Sequence, residues 1–175
     1  MSMIIDVEQG SEEWFAERRG LLTGTKFGKC VTPKTGKLSA SHIQSVADCV
    51  AEPLDPDAEG FSTYWVNRGI ILEEEARNWY EFDRGVEVTP IGLVRGEGNL
   101  GFSPDGFVGD DGMIEIKCPK PSTHIKYLMS GELPDEYKIQ VHGGLYVCER
   151  DWCDFISYCP GIRPLVIRVL FDEFT

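Results

Sequence analysis

The chain contains no apolar run long enough to span a bilayer, and its first ten residues, MSMIIDVEQG, lack the basic-then-apolar order of a secretory signal. An intracellular protein is expected. None of its six cysteines forms a C-x-x-C pair, and without a signal the thiols are expected to be free and buried. Its three histidines, His42, His124 and His142, show no metal-ligand spacing and are expected at the surface or at helix caps. There is no internal repeat and no low-complexity segment. Basic residues are few: 17 Lys and Arg against 29 Asp and Glu, for a net charge of -12. That balance excludes a generic nucleic-acid coat, which would be basic. It does not exclude a nuclease, because metal-binding acids lower the net charge.

What is present suits one domain of 175 residues with a sizeable core, 42% apolar and 26% charged. One segment runs against the overall charge. From Arg18 to Lys37 lie Arg18, Arg19, Lys26, Lys29, Lys34 and Lys37, with no acid among them. Such a run is either a solvated loop or a phosphate-binding surface.

Ser11 followed by Glu12 and Glu13 predicts a helix start, with the helix running to about Arg19. Gly20 to Gly24 breaks it, and Thr23 or Thr25 caps a short second helix that includes Phe27. Pro33 to Gly36 reads as a polar loop, Ser41 to Ala51 as a third helix, and Pro53 to Gly60 as an acidic loop. The longest helix is expected over about Ser62 to Phe82, where Trp65, Leu72, Ala76 and Trp79 share one face. Glu73 sits on the flank of that face, and Glu74 and Glu81 on the far side. Strands are expected over Val86–Thr89, Ile91–Arg95, Met113–Cys118, Trp152–Cys159 and Leu165–Phe171. Ser122 or Thr123 should cap a helix to about Met129, and Asp135 should open another through Gln140 to Val147. The order predicts a mixed α/β fold: a central mixed β-sheet flanked by helices.

The most informative stretch is Ser103-Pro104-Asp105-Gly106, followed by the turn Gly109-Asp110-Asp111-Gly112 and then Glu115-Ile116-Lys117. Side chains alternate along a strand, so Ile114 and Ile116 face one way and Glu115 and Lys117 the other. An antiparallel hairpin brings Asp105 opposite Glu115. Two adjacent carboxylates repel unless a cation lies between them, and hard oxygen ligands suit Mg²⁺ or Mn²⁺. A third acid, Glu73, lies on the preceding helix, and Lys117 is placed to orient or deprotonate the attacking water.

These residues resemble the PD-(D/E)xK nucleases, and within them the lambda exonuclease or YqaJ-like viral recombinase family. Five ordered stretches carry the resemblance across nearly the whole chain. They are Val7-Glu8-Gln9-Gly10 with Trp14, Arg18-Arg19-Gly20 and Thr23; Glu73 to Arg77 with Tyr80-Glu81; Ser103 to Gly106 with Glu115 to Pro119; Ile139-Gln140-Val141; and Trp152 to Pro160.

The resemblance implies a restriction-endonuclease-like fold over a single nuclease domain, residues 1–175. It implies that Asp105, Glu115 and the backbone of Ile116 bind Mg²⁺, with Glu73 contributing and Mn²⁺ able to substitute. Lys117 would serve the water. Arg18, Thr25, Ser103 and Gln140 would hold a terminal 5′-phosphate. The implied activity is 5′-to-3′ digestion of duplex DNA, leaving 3′ single-stranded tails. A homotrimer would act on 5′-phosphorylated ends beside a single-strand annealing protein, in the cytoplasm of a bacterial cell or a phage-infected host.

Thr25 stands where serine is common in the family, and Gly143-Gly144 interrupt the late helix. The chain stops at Thr175, where family members continue into a C-terminal helix. Two other readings stay open. One is a related nuclease of other polarity, with Cys30, Cys148, Cys153 and Cys159 around an iron–sulfur cluster. The other is a non-catalytic DNA-end-binding module.

Overall fold

The computed structural model describes residues 1–32, 35–54 and 64–171, and the side chains from residue 71 onward in its longest helix. The Trp65 side chain, Lys34, the start of the long helix at Ser62 and most of the 53–60 loop lie outside what is described. The class is mixed α/β, with the strands divided between two four-stranded sheets. Met3–Ile5 (β1), Leu93–Arg95 (β3), Leu100–Phe102 (β4) and Leu22–Thr23 (β2) make the first, in the order β1-β3-β4-β2. Gly106–Val108 (β5), Gly112–Lys117 (β6), Trp152–Ser157 (β7) and Leu165–Leu170 (β8) make the second, in chain order. β6 and β7 are parallel, and the crossover between them carries two helices, Pro121–Ser130 (α5) and Asp135–Cys148 (α6). A parallel pair requires such a crossover, because a tight turn can join only antiparallel strands.

The second sheet is covered on both faces. Ile114, Ile116 and Ile156 pack on one side with Ala76 and Tyr80 of the long helix Tyr64–Arg84 (α4). Met113, Cys153 and Phe155 pack on the other with Val141 and Leu145 of α6, and Phe102 and Phe27 extend this core into the first sheet. A strand buried on both faces reads as nearly continuous burial, and β6 is buried at every position but Lys117. Three short helices, Glu12–Arg18 (α1), Gly24–Cys30 (α2) and His42–Ala51 (α3), and a 3-10 turn at Glu52–Leu54 complete the described chain. Among the described residues no helix is long and apolar enough to cross a membrane.

Local chemistry explains most boundaries. The Ser11 hydroxyl accepts from the Trp14 amide at 3.1 Å and starts α1 as expected. Thr23 is the N-cap residue of α2 by position, but its hydroxyl faces Arg18. α5 starts earlier than predicted. Pro121 takes the first helical turn, where its missing N–H costs nothing, and Ser122 and Thr123 fall inside the helix. Val86–Thr89 makes only a single bridge, from Thr89 to Phe107, rather than a strand. The buried line of α4 centres on Ala76 and Tyr80, one residue past the expected face at Trp79.

Gly143 and Gly144 fix how deeply α6 sits. A Cβ on Gly143 would come within 2.3 Å of the Phe27 ring, and one on Gly144 within 2.5 Å of Phe102 and 2.8 Å of Met113. Alanine improves helix propensity by about 1 kcal/mol, but overpacking a filled core costs about 1–3 kcal/mol. Gly144→Ala is therefore expected to destabilise by about 1–2 kcal/mol in urea unfolding. A variant as stable as the parent would show that α6 has room to retreat.

Candidate active site

The chain passes from the first sheet to the second through Ser103-Pro104-Asp105, between β4 and β5. This junction places Asp105 and Ser103 two residues apart, at most about 7 Å along the chain. Gln9 pins it from the N-terminal segment: its side-chain amide donates to Pro104 O at 2.9 Å and to Ile91 O at 2.7 Å. The hairpin register pairs Gly106 with Ile114, so Asp105 faces Glu115 as alternation predicts. Asp105 Oδ2 accepts from the backbone N–H of Ile116.

Glu115 is 2% exposed. Its Oε1 accepts from Lys117 Nζ and from Gln140 Nε2, the latter at 2.6 Å, while its Oε2 is buried with no partner. Glu73 reaches the same cluster from α4 and is held by Arg77, whose Nη2 donates to Glu73 Oε1 at 3.0 Å. Arg77 Nε also donates to the Asp105 carbonyl at 3.2 Å. One guanidinium therefore ties the helix acid to the junction.

The electrostatics follow from this crowding. Burial, then Glu115 and Glu73, push the Asp105 carboxyl well above its ordinary range, with Lys117 and the Ile116 N–H opposing. Burial also raises Glu73, against the pull of Arg77. Burial works against the charge of Lys117, but Glu115 and Asp105 overcome it and hold the ammonium above the usual lysine range. Lys117 Nζ is accordingly a charged donor to Glu115.

A divalent cation fits this donor set. The buried, unpartnered Glu115 Oε2 and the reluctantly ionised Asp105 are what a site built around a positive charge leaves when none is included. Among the described residues no three acids, histidines or cysteines form a closed cage. Mg²⁺ uses one or two carboxylates and keeps the remaining positions for water and phosphate oxygens, so two acids and a carbonyl suffice.

Beside the junction lies a second cluster. Arg18 Nη1 donates to Ser103 Oγ at 3.0 Å and Nη2 to Thr23 Oγ1 at 3.3 Å, and the guanidinium stacks on Trp14 at 4.0 Å from the ring centroid. Trp14 Nε1 also donates to Ser103 Oγ at 3.0 Å. Burial lowers the Arg18 pKa from its ordinary value. Arg18 and Ser103 thus meet as expected. Thr23 supplies the hydroxyl on Arg18, while Thr25 is exposed on the first turn of α2. Gln140 lies on Glu115, with its Cγ 3.4 Å from where a Cβ on Gly24 would be.

The cysteines are all free, and all but Cys118 are buried. Among the described residues no three of them converge with each other or with other ligand types, so no iron–sulfur cradle forms around Cys30, Cys148, Cys153 and Cys159. His124 is not at the surface as predicted. It is fully buried, with Nδ1 2.7 Å from Ser157 Oγ and Nε2 2.9 Å from the Arg163 carbonyl.

A family model for the YqaJ-like viral recombinase domain matches residues 13–151, a span containing every candidate site residue from Arg18 to Gln140. The chain belongs to the YqaJ-like viral recombinase family. Among solved structures of similar proteins is the alkaline exonuclease LHK-Exo of Laribacter hongkongensis, 33% identical with a TM-score of 0.81. The match covers 93% of this chain and 84% of that one. The same exonuclease in complex with dAMP matches at 34% identity and a TM-score of 0.80, with the same coverage. A phage-related exonuclease of Haemophilus somnus shares the fold at 15% identity and a TM-score of 0.64, over 87% of this chain and 85% of that one. An uncharacterised protein of Acanthamoeba polyphaga mimivirus is 30% identical over 168 residues. This YqaJ-like chain is matched over 86% of its length but spans only 29% of that viral protein.

Proposed function

We propose that this chain is a Mg²⁺-dependent exonuclease that digests duplex DNA from 5′-phosphorylated ends and leaves 3′ single-stranded tails. Family membership and the 33%-identical alkaline exonuclease support a DNA exonuclease. The observation that carries the metal dependence is the Glu115 carboxylate, buried beside Asp105 with one oxygen unpartnered. Asp105, Glu115 and the Ile116 carbonyl hold the ion, with Glu73 alongside, and Mn²⁺ substitutes. Bound there, Mg²⁺ supplies Lewis acidity toward a phosphate oxygen and a water of lowered pKa. Lys117, whose ammonium lies beside these acids, would orient the attacking water by donating to it.

Arg18 supports the choice of end. Its present partners, Ser103 and Thr23, are neutral hydroxyls, and a phosphate dianion replaces them with charge-assisted bonds. Trp14 packs on the guanidinium, its ring centroid 4.0 Å from Arg18 Cζ, and a guanidinium fork suits bidentate contact with a phosphate. The Ser103–Asp105 junction joins this pocket to the acids, so a terminal phosphate on Arg18 sets the adjacent diester on the metal site. The enzyme acts in the cytoplasm of a bacterial or phage-infected cell, as a ring of three copies around its DNA. It passes its tails to a single-strand annealing protein for recombination.

Polarity is tested with linear duplex labelled at either end, beside a closed circle. Early release of 5′ label as mononucleotide, with the circle intact, is expected; early release of 3′ label would overturn the polarity. Arg18→Lys keeps the charge but loses the fork. The rate ratio between 5′-phosphoryl and 5′-hydroxyl ends is expected to fall about tenfold, the usual worth of a hydrogen bond to a charged group. An unchanged ratio would remove Arg18 from the pocket.

A further inference from the structure

Helix α6 runs over the face of β6 that carries Met113, Glu115 and Lys117, and it meets them in order. Gly144 lies against Met113, Gln140 donates to Glu115, and Tyr137 covers Lys117. The spacing is geometric. The helix steps are four and three residues, about 6.0 and 4.5 Å, beside about 6.7 Å for each two residues of strand, close enough for Glu115 and Lys117 each to receive one partner from α6. The contact between Tyr137 and Lys117 has no counterpart among the residues assigned so far.

We propose that Tyr137 is a positioning residue that keeps the Lys117 ammonium aimed into the site during the reaction, an inference that rests on the nuclease reading above. Lys117 Nζ lies 5.4 Å from the Tyr137 ring centroid, within cation–π range. Its other hold is Glu115 Oε1. That carboxylate is also the metal ligand, and an oxygen shared with a cation is a weaker anchor for an ammonium. Lysine has a flexible four-carbon stem, so it needs a hold independent of the acid it serves beside.

The ring is itself fixed. Phe155, the register partner of Glu115, lies 5.2 Å from it at 32°, and Tyr127 meets it edge-on at 6.3 Å and 83°. Tyr127 is anchored in turn by donating to Glu136. The result is a rigid aromatic face where Lys117 must remain while Glu115 changes partner.

The test uses steady-state digestion of 5′-phosphorylated duplex. Tyr137→Leu is expected to lower kcat about tenfold with KM unchanged, from the usual strength of a desolvated cation–π contact. Tyr137→Phe keeps the ring and is expected to stay within about twofold of the parent. In a Lys117→Ala background, Tyr137→Leu is expected to change the residual single-turnover rate no further, since the residue acts through Lys117. Tyr137→Met, which keeps apolar bulk, replaces the leucine variant if that one melts below the assay temperature. Parental kcat in the leucine or methionine variant would overturn the role. So would a phenylalanine variant as slow as the leucine one, or an undiminished tenfold loss without Lys117. An inactive parent protein would instead overturn the nuclease reading.

Discussion

Asp105→Asn is expected to abolish Mg²⁺-dependent cleavage and, in EDTA, to raise the melting temperature. Few substitutions in a folded core stabilise, so the pair of outcomes is specific. The activity loss should reach at least about 10³-fold, because the remaining amide is a poor ligand for a hard cation. The stability gain follows from the raised carboxyl pKa. Burial, Glu115 and Glu73 all disfavour the Asp105 anion in the folded chain. A carboxyl with a raised folded pKa binds its proton more tightly when folded, so the parent loses stability as pH rises through that value. Above it the full cost of holding the anion is present. Asparagine has no such cost and can still accept from the Ile116 N–H. The stability difference should be largest at alkaline pH and should shrink as pH falls toward about 3.9, the unfolded aspartate value. For a chain of this size each kcal/mol corresponds to about 2–4 °C. Scanning calorimetry in EDTA at pH 8 and pH 5 checks the sign. A variant that melts below the parent at both pH values would contradict the charge-crowded site.

Lys117→Ala is expected to lose cleavage to a similar degree, about 10²–10⁴-fold, the range for removing a group that moves or orients a proton. Its stability effect should have the opposite sign. Lys117 is the cation on the buried Glu115, and removing one partner of a buried pair leaves the other uncompensated. Gln140 still donates to Glu115, which limits the loss, so about 1–3 kcal/mol is expected in EDTA. Excess Mg²⁺ should restore most of it by taking over the charge on Glu115, a linkage seen as a larger thermal shift than in the parent. Equal melting temperatures with and without Mg²⁺ in both proteins would show that the metal is not bound where Glu115 is buried.

These opposite signs depend on contacts that the sequence showed only in part. Alternation and the Gly109–Gly112 turn placed Asp105 against Glu115, because a hairpin with a short turn leaves little freedom of register. Cap chemistry placed α1 through Ser11, and an acid in the first turn marked the start of α6 at Asp135. Elements of two or three residues were less legible. β1 and β2 exist because β3 and β4 offer them edges, not because three residues have a pattern of their own.

Side-chain partners far apart in sequence were least legible. Buried Asp154 is held by Tyr80 at 2.7 Å and by both Arg168 donors at 2.8 Å, 74 and 14 residues away. Nothing local announces that network. His124 was misread for the same reason, since its partners Ser157 and Arg163 arrive only when β7 is laid beside β6. At the site, Arg77 offered one signal that could have been used: it stands four residues after Glu73, the spacing of a helical ion pair. Its second bond, to the Asp105 carbonyl, has no such signal.

The central claim is that Asp105, Glu115 and Lys117 form a Mg²⁺-dependent phosphodiester-cleaving centre. Release of acid-soluble nucleotide from linear duplex DNA, followed with Mg²⁺ and with EDTA, tests it most directly. Release with Mg²⁺, none with EDTA and none from the Asp105→Asn protein in either buffer is predicted. Undiminished release in EDTA, or from Asp105→Asn with Mg²⁺, would contradict it.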